Sequence, residues 1–472
     1  MDNPAKRPRG PTGSRELPKP SNAFEFLDAP LGHSVLPMSS GVMHFIEWFV
    51  LEVLSEENRN ILHSKFVSMG SMCSGMALED VAMHAIKTAL TLSGPSRFSY
   101  QCSFKAESDA NKRAFLKRHL HKGVPVFESN ADVTLGADVP TCTVLTCGIV
   151  CKNVSSLSQD KKPVSDKSGS SGKSLAEMLE SLSRWQFEHR PKLIVLECTQ
   201  GLSQCRKCDS GLSGTQYIDE KLSKCGYVGL WRRVSADMFF LPQSRLRVYG
   251  LFLKVSDFHP NSLEARRRDL REASKIISDA RIKTPESLSA VLARVPSKVV
   301  EQRVPKGKTS DEASSASDKW PEQHRMARQK LKLPPKLSSP PKDFLDQALK
   351  VMVPRAADAL WIKLAQAVWE RGSTWEEQCC ILPVTMSVGF GGKVSIGKFP
   401  CLTPEAKYVL VQNGKLRVVS SFEYLALQGL QARELSFLNI AAEQDRLLRN
   451  LAGNAFTTNI IAIFLLAGLV VM

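Results

Sequence analysis

One cysteine of the chain stands where a nucleophile would be well placed. Cys151 comes three residues after Gly148, and the apolar run at residues 142–145 is typical of the end of a buried strand. Ligands of open α/β sheets bind at loops that follow the carboxyl ends of the strands. A single cysteine is more often a small buried hydrophobic residue, so this loop by itself leaves both interpretations open.

Two further segments place charged side chains beside apolar runs. Glu197 directly follows the apolar residues 193–196, and a carboxylate that is buried there needs a partner. Arg245 and Arg247 are two residues apart in a predicted strand, so both project to the same side with planar donor groups. Two surface arginines on a strand would give the same spacing, and the spacing does not decide between these interpretations.

A strand–turn–helix corner with small residues occupies residues 66–85. Its turn, Ser74-Gly75-Met76-Ala77, would let a cofactor approach the backbone, and the following helix offers free N–H groups at its first turn. Glu107 follows a second strand-like run. An acidic residue at that place commonly holds ribose hydroxyls, although a helix cap would explain Glu107 equally well.

Composition limits the class of protein. The 472 residues allow one large domain with a smaller one, or two to three domains. The formal charge of +16 favours a polyanionic partner, most often nucleic acid, although basic linkers would also raise it. Twelve cysteines are too sparse for a disulfide scaffold, so we expect reduced thiols. Spacing at Cys205 and Cys208 is zinc-like, but only Cys198 and Cys225 lie nearby, and we predict no metal site.

The two termini bear on location. Residues 1–20 are polar and proline-rich, which excludes a signal peptide, and the cluster Lys6-Arg7-Pro8-Arg9 fits a nuclear address. We therefore expect a nuclear protein, or otherwise a cytoplasmic one. The thirteen apolar residues 460–472 fall short of the roughly 20 that span a bilayer, so we predict a buried helix there and no membrane partner.

The order of these fragments resembles the cytosine-5 methyltransferases of DNA. The Ser74–Ala77 corner is similar to the first cofactor motif of that family, although its usual aromatic start is replaced by Met72-Cys73. Gly148, Cys151 and Ser155 match the loop Gly-x-Pro-Cys-Gln-x-x-Ser.

Later motifs of the family follow in the same order. Glu197 in LECTQGL matches the glutamate of Glu-Asn-Val, and LPQSRLRVYG carries Pro-Gln-x-Arg-x-Arg at Arg245 and Arg247. GKFPCLTPEA and KLRVVSSFEYLALQGL resemble the stretches just after the target-recognition region, and LAGNAFTTNI resembles the last motif with Gly453-Asn454. The resemblance covers about residues 64–255 and 395–470.

The resemblance implies an α/β fold, a Rossmann-like methyltransferase sheet with a smaller inserted target-recognition domain. It implies S-adenosyl-L-methionine as cofactor, bound by Ser74, Gly75, Met76, Glu107 and Asn454. It also implies four catalytic residues: Cys151 as the thiolate that adds to cytosine C6, Glu197 on the ring N3 and exocyclic amine, and Arg245 and Arg247 on the base. The substrate would be duplex DNA with the target cytosine flipped out of the helix.

Two departures from the family pattern keep alternatives open. Val150 stands in the place of the loop proline, so the loop loses a fixed φ. Lys152 stands in the place of glutamine, and its ammonium group would lower the pKa of the Cys151 thiol if it pointed at the sulfur. The alternatives are a catalytically inactive, nucleic-acid-binding relative and an RNA cytosine-5 methyltransferase. If Cys151 is not the nucleophile, Cys147 is the next choice.

We expect four regions along the chain. Residues 1–24 are predicted to form a disordered basic tail, and residues 25–255 the first part of the catalytic domain. Residues 256–395 are predicted to form the target-recognition region, with a disordered linker at about residues 296–342 that is rich in Lys, Ser and Pro. Residues 396–472 are predicted to complete the catalytic domain.

Overall fold

The computed structural model describes most of the chain. The described residues are 35–119, 123–135, 139–155, 160, 162–204, 211–256, 260–296, 320–352, 354–383, 395–404, 406–431, 434–435, 440 and 443–472. Residues 1–24, predicted as a basic tail, and Cys205 and Cys208 lie outside them.

A seven-stranded sheet forms the centre of the larger domain. Its strands are β1 Phe66–Met72, β2 Ser99–Ala106, β3 Val126–Phe127, β4 Val144–Gly148, β5 Leu193–Thr199, β6 Tyr227–Ser235 and β7 Leu246–Lys254. Their order is β3-β2-β1-β4-β5-β7-β6, and β7 runs antiparallel to both of its neighbours while the other paired strands are parallel. The order reverses between β1 and β4, which is where ligands of open α/β sheets bind.

Helices cover both faces of this sheet. The described helices are α1 Val42–Trp48, α2 Glu56–His63, α3 Leu78–Ser93, α4 Ala110–His119, α5 Asp132–Leu135, α6 Ser170–Arg184, α7 Gly214–Lys224, α8 Pro260–Asp279, α9 Leu288–Ala293, α10 Trp320–Leu331, α11 Lys342–Val351, α12 Pro354–Arg371, α13 Ser421–Ala426, α14 Asp445–Asn454 and α15 Thr458–Val471. Helices α1, α3, α8 and α15 pack together on one face, and α6 and α7 contribute to the core on the other. The three-layer arrangement confirms the predicted fold class, a Rossmann-like α/β sheet.

Helix α15 is apolar on all sides because it is enclosed by protein. Its residues Thr458 to Val470 are buried against α1, α3 and α8, which confirms the buried helix predicted for the apolar C-terminal stretch. Among the described residues, no single helix has the length and hydropathy to cross a membrane. Helices α14 and α15 reach that length only as a pair, with a bend of 44° between them.

A second, smaller sheet belongs to the inserted domain. It contains β8 Cys379–Pro383, β9 Ser395–Ile396, β10 Tyr408–Gln412 and β11 Lys415–Val418, in the order β11-β10-β8-β9 with antiparallel pairing. Its core is shared with α11 and α12 through Phe344, Trp361 and Trp375. The expected smaller domain is therefore present.

The boundaries of this domain differ from those expected at residues 256 and 395. Helix α8 is rich in charge, but it buries Leu270, Ala273 and Ile277 at helical spacing in the core of the large sheet, so residues 260–295 belong there. Strands β10 and β11 complete the small sheet, so this domain continues to Val418.

The predicted linker at residues 296–342 is wrong in its second half, where α10 forms. The sequence of α10 is charged and gave no sign of a packed helix. In the structure, His324 of α10 is buried and contacts Asp358 of α12 at 2.7 Å. Residues 297–319 lie outside the described residues.

Candidate active site

Three of the four predicted catalytic side chains meet at the carboxyl end of the central strands. Cys151 follows β4, Glu197 lies on β5 and Arg247 lies on β7. These strands are neighbours in the sheet: Gly148 is in register with Glu197, and Arg247 with Thr199. Residues that are about 100 positions apart in sequence are therefore placed at one edge by strand register alone.

Glu197 and Arg247 form a buried ion pair. The Glu197 carboxylate lies 3.0 Å from Nε of Arg247, and Glu197 is 7% exposed. Burial raises the pKa of Glu197, and the charges of Arg247 and Arg245 oppose that rise. A carboxyl group in such a position can accept a hydrogen bond as an anion or donate one when protonated, which suits contact with a ring nitrogen and an amino group.

Cys151 is half-buried beside this pair. Burial raises the pKa of its thiol, Glu197 raises it further, and Arg247 and Arg245 lower it. The suggestion that Lys152 would lower this pKa is not confirmed, because Lys152 is exposed and the pKa of Cys151 is raised. The cations that favour the thiolate come instead from β7 and the segment before it.

The loop that carries Cys151 is held without the usual proline at Val150. Ile149 donates a backbone hydrogen bond to the Glu197 carbonyl at 2.9 Å, and Ser155 N–H donates to the Cys151 carbonyl at 2.9 Å. The Asn153 side chain is buried and accepts hydrogen bonds from Ser170 and Ser171 at the start of α6. These contacts replace part of the rigidity that proline would supply.

Cys147, the alternative nucleophile, is poorly placed for that role. It lies inside β4 and is 1% exposed. A hydrogen bond with Cys73 and burial raise the pKa of its thiol well above the usual value. Burial and a raised pKa both disfavour a reactive thiolate, so the structure favours Cys151 over Cys147.

Arg245 does not point at the site in the way the motif implied. Arg245 is 2% exposed, and its guanidinium group donates to the carbonyls of Leu402, at 3.1 Å, Gly453, at 3.3 Å, and Ala455, at 2.8 Å. Both terminal nitrogens are used in these contacts. In the structure Arg245 thus ties three backbone segments together behind the site, and its expected role in holding the base stays a prediction.

Cys401 is a further residue of the site, and the sequence did not predict it. The Cys401 thiol accepts a hydrogen bond from Nη2 of Arg247 at 3.6 Å. Burial works against ionisation of Cys401, but Arg247 and Arg245 outweigh it and lower the pKa of this thiol. Cys401 lies in the stretch GKFPCLTPEA, and nothing in its spacing marked it as a neighbour of Arg247.

The turn after β1 has the geometry of a ligand-binding loop. Gly75 has φ of +53°, and nothing lies within 4 Å of the place where a Cβ would stand. Its N–H donates to the Glu107 carboxylate at 2.9 Å, and Asp109 N–H donates to the other carboxylate oxygen at 3.0 Å. The Ser74 hydroxyl is bonded to the Ser71 and Ala106 carbonyls. The open space above Gly75 fits a cofactor that approaches the backbone.

Two predicted cofactor residues contribute differently. Met76 as a whole is 1% exposed and its side chain packs in the core, so the side chain does not reach a ligand. Asn454 is exposed at the end of α14, and its amide donates to Asn450 in the preceding turn at 3.1 Å. A cleft of about 1100 Å³ lies between α4 and α14 and includes Asp109 and Asn450 in its lining. In sequence, Glu107 is close to Asp109 and Asn454 is close to Asn450, so both lie near residues that line this cleft.

Among the described residues, no group of three or more His, Cys, Asp or Glu side chains is arranged to hold a metal ion.

The strand order, with its reversal between β1 and β4, defines a Rossmann-like α/β fold. Residues 67–465 match the family model of C-5 cytosine-specific DNA methylase. The chain belongs to this family, and the resemblance found in the sequence is confirmed.

The chain is also similar to individual named proteins. A DNA (cytosine-5-)-methyltransferase, DMT5, of Cryptococcus neoformans var. grubii is 24% identical over an alignment of 435 positions, which covers 86% of this chain and 17% of that protein. The chain thus spans less than a fifth of this relative. Among solved structures, Entamoeba histolytica methyltransferase EhMeth has a TM-score of 0.47 at 11% identity, covering 86% of this chain and 98% of that chain. The S. pombe Dnmt2 methyltransferase has a TM-score of 0.42 at 13% identity, covering 85% and 98%.

Proposed function

We propose that the protein transfers a methyl group from S-adenosyl-L-methionine to C5 of cytosine in DNA through a covalent adduct with Cys151. The observation that carries this proposal is the meeting of Cys151, Glu197 and Arg247 at one edge of the sheet, next to the reversal in strand order. Cytosine C5 is a weak nucleophile, and a thiolate, an acid–base group and a fixed cation are what its activation needs.

Each residue would have a distinct role. The Cys151 thiolate adds to C6 of the base, which turns C5 into an enamine carbon that can attack an electrophilic methyl group. Glu197 hydrogen-bonds the ring N3 and the exocyclic amine, and its raised pKa helps it to share a proton with N3. Arg247 stabilises the negative charge that develops on the ring. Loss of the C5 proton and cleavage of the sulfur–C6 bond then release the methylated base and the thiolate.

The cofactor would lie between the Gly75 turn and the end of α14. When bound, S-adenosyl-L-methionine supplies the electrophilic methyl group. Glu107 would accept hydrogen bonds from the ribose hydroxyls, and the Gly75 backbone leaves room for the ligand. Ser74, Met76 and Asn454 would complete the site, Met76 by packing beneath the turn.

Charge on the inserted domain supports a nucleic-acid substrate. Lys330, Lys332, Lys336 and Lys342 are exposed along α10 and the segment up to α11, within a chain of formal charge +16. Basic side chains along a surface bind phosphates and release counterions. We propose that this surface contacts duplex DNA while the target cytosine is flipped into the site, and that the protein works in the nucleus.

A trapping experiment tests the proposal. Duplex DNA that contains 5-fluorocytosine is incubated with the protein and S-adenosyl-L-methionine. Fluorine replaces the C5 proton that must be lost to resolve the adduct, so the adduct persists. We expect an SDS-stable complex that Cys151→Ala abolishes and Cys147→Ala retains. An adduct that survives Cys151→Ala would refute the choice of nucleophile.

The substrate and the activity are separated by the same assay. An adduct with 5-fluorocytosine RNA and none with DNA would replace DNA by RNA in the proposal. Measured cofactor binding with no adduct on either nucleic acid would instead favour a catalytically inactive binding protein. Arg247→Lys serves as a matched variant that keeps a charge near Glu197 but loses the planar donor pair.

A further inference from the structure

A fully buried lysine lies directly beneath the proposed cofactor loop. Lys105, on β2, has no exposed surface, and its ammonium nitrogen lies 2.7 Å from Oε1 of Glu79 and 2.7 Å from Oδ2 of Asp80. Both carboxylates are buried as well, Glu79 at 0% and Asp80 at 3% exposure. Three charged groups are therefore removed from water together, which is costly unless they stay paired.

The two sides of this triad belong to the two halves of the proposed cofactor site. Lys105 precedes Glu107, the proposed ribose ligand, by two residues. Glu79 and Asp80 form the first turn of α3, immediately after the turn that contains Gly75. The triad thus joins β2 to α3. A second contact lies close by, where the Gly75 N–H donates to the Glu107 carboxylate at 2.9 Å.

The turn above the triad needs such support. Cys73, Gly75 and Ala77 all have positive φ, of 55°, 53° and 57°, and two of them are not glycine. Left-handed backbone at a residue with a Cβ is unfavourable and persists only where the surroundings hold it. Asp80 N–H also donates to the Ala77 carbonyl at 3.0 Å, so the charged turn of α3 is continuous with the strained one.

We propose that Lys105 is a positioning residue that fixes the Gly75 turn and Glu107 in the arrangement that binds the cofactor. The inference rests on the proposed function, since it assumes that S-adenosyl-L-methionine binds at this turn. Lys105 does not touch the ligand. It acts through Glu79 and Asp80, which hold the start of α3 against the end of β2.

Cofactor affinity is the first measurement, on the full chain. Lys105→Met keeps the length of the side chain but leaves two buried carboxylates without their cation. We expect the Kd for S-adenosyl-L-methionine, from isothermal titration calorimetry, to rise about ten-fold, as it would if the competent turn fell to a tenth of the population. The yield of the 5-fluorocytosine adduct at saturating cofactor should change far less, because the Cys151 site is intact.

Arg417→Met is the matched control. It removes the cation from another buried carboxylate, Glu423, whose side chain is 0% exposed and lies 2.6 Å from Arg417 on β11 of the smaller sheet. We expect Arg417→Met to lower the Tm but to leave the cofactor Kd within about two-fold of the wild type. If both variants weaken cofactor binding equally, the effect is one of general stability and the proposal is overturned.

A triple variant separates position from stability and covers the case in which Lys105→Met does not fold. Lys105→Met combined with Glu79→Gln and Asp80→Asn has no uncompensated charge, so we expect its Tm to recover. The Kd should stay about ten-fold above the wild type, because the cross-link between β2 and α3 is still missing. Recovery of both Tm and Kd would overturn the proposal. If the wild type itself binds no cofactor, the proposed function fails first, and Lys105 loses its role with it.

Discussion

Replacement of Arg245 offers the sharpest test of how the site is built. The motif Pro-Gln-x-Arg-x-Arg implied that Arg245 and Arg247 act together on the base, but their contacts differ. Arg247 lies against Glu197 at 3.0 Å, whereas both terminal nitrogens of Arg245 are bonded to backbone carbonyls. We expect Arg245→Met to act chiefly through stability, and Arg247→Lys chiefly through the reaction.

The size of the effect follows from the contacts. Arg245→Met leaves the carbonyls of Leu402, Gly453 and Ala455 without this donor in a buried place. Each buried acceptor that loses its hydrogen bond costs about 1–3 kcal/mol. The substitution also removes the cost of burying a guanidinium group, so we expect a net loss of about 2–4 kcal/mol in the free energy of unfolding. That is a large fraction of the roughly 5–15 kcal/mol that stabilises a typical domain.

Urea unfolding followed by circular dichroism measures this loss, and the 5-fluorocytosine adduct measures the chemistry. Under conditions where Arg245→Met is folded, its adduct rate should stay within about ten-fold of the wild type. Arg247→Lys should unfold within about 1 kcal/mol of the wild type yet form adduct at least about 100-fold more slowly. A stable Arg245→Met protein that forms no adduct would refute our assignment and return Arg245 to the base.

Three further predictions follow from single contacts. The rate of adduct formation should rise about ten-fold per pH unit from pH 7 and level off only above the ordinary cysteine value of 9.0, because the pKa of Cys151 is raised and the thiolate is the reactive form; a plateau at pH 7 would contradict this. Glu107→Gln should raise the cofactor Kd by about ten-fold and lower the free energy of unfolding by about 1–3 kcal/mol, since the amide nitrogen cannot accept from one of the two N–H groups that the carboxylate now satisfies; an unchanged Kd would contradict the ribose role. Gly453→Ala should destabilise the fold by about 1–3 kcal/mol in urea unfolding, because its Cβ would stand 2.5 Å from the backbone nitrogen of Pro404; a change below the error of the measurement would show that the two segments separate easily.

The sequence predicted those parts of the site that depend on the ends of strands. Cys151 and Glu197 each follow or end an apolar run, and strands of one sheet bring such positions together whatever lies between them in the chain. The Gly75 turn and Glu107 were predicted for the same reason. The buried C-terminal helix could also be predicted, because its length and composition exclude most other environments.

Contacts made by backbone carbonyls and by distant charges could not be predicted in this way. The partners of Arg245 lie up to 210 residues away and are carbonyls, which every residue possesses, so no residue type marks them. Lys105 in the run SYQCSFKA looks like an ordinary exposed strand residue until its two carboxylates are seen. The boundary at residue 256 failed because α8 is highly charged over its whole length, and its narrow apolar stripe carried less weight than its composition.

The burial of α15 has a consequence for how the protein is made. This helix fills the space between α1, α3 and α8, yet it follows the whole inserted domain in the chain. Ribosomes add about 5–20 residues per second, so many seconds pass between the synthesis of β1 and that of α15, which completes the core of the large domain. During that interval the apolar surfaces of α3 and α8 that α15 covers are exposed. Nascent chains of this protein should therefore depend on holding factors until the end of α15 leaves the ribosome.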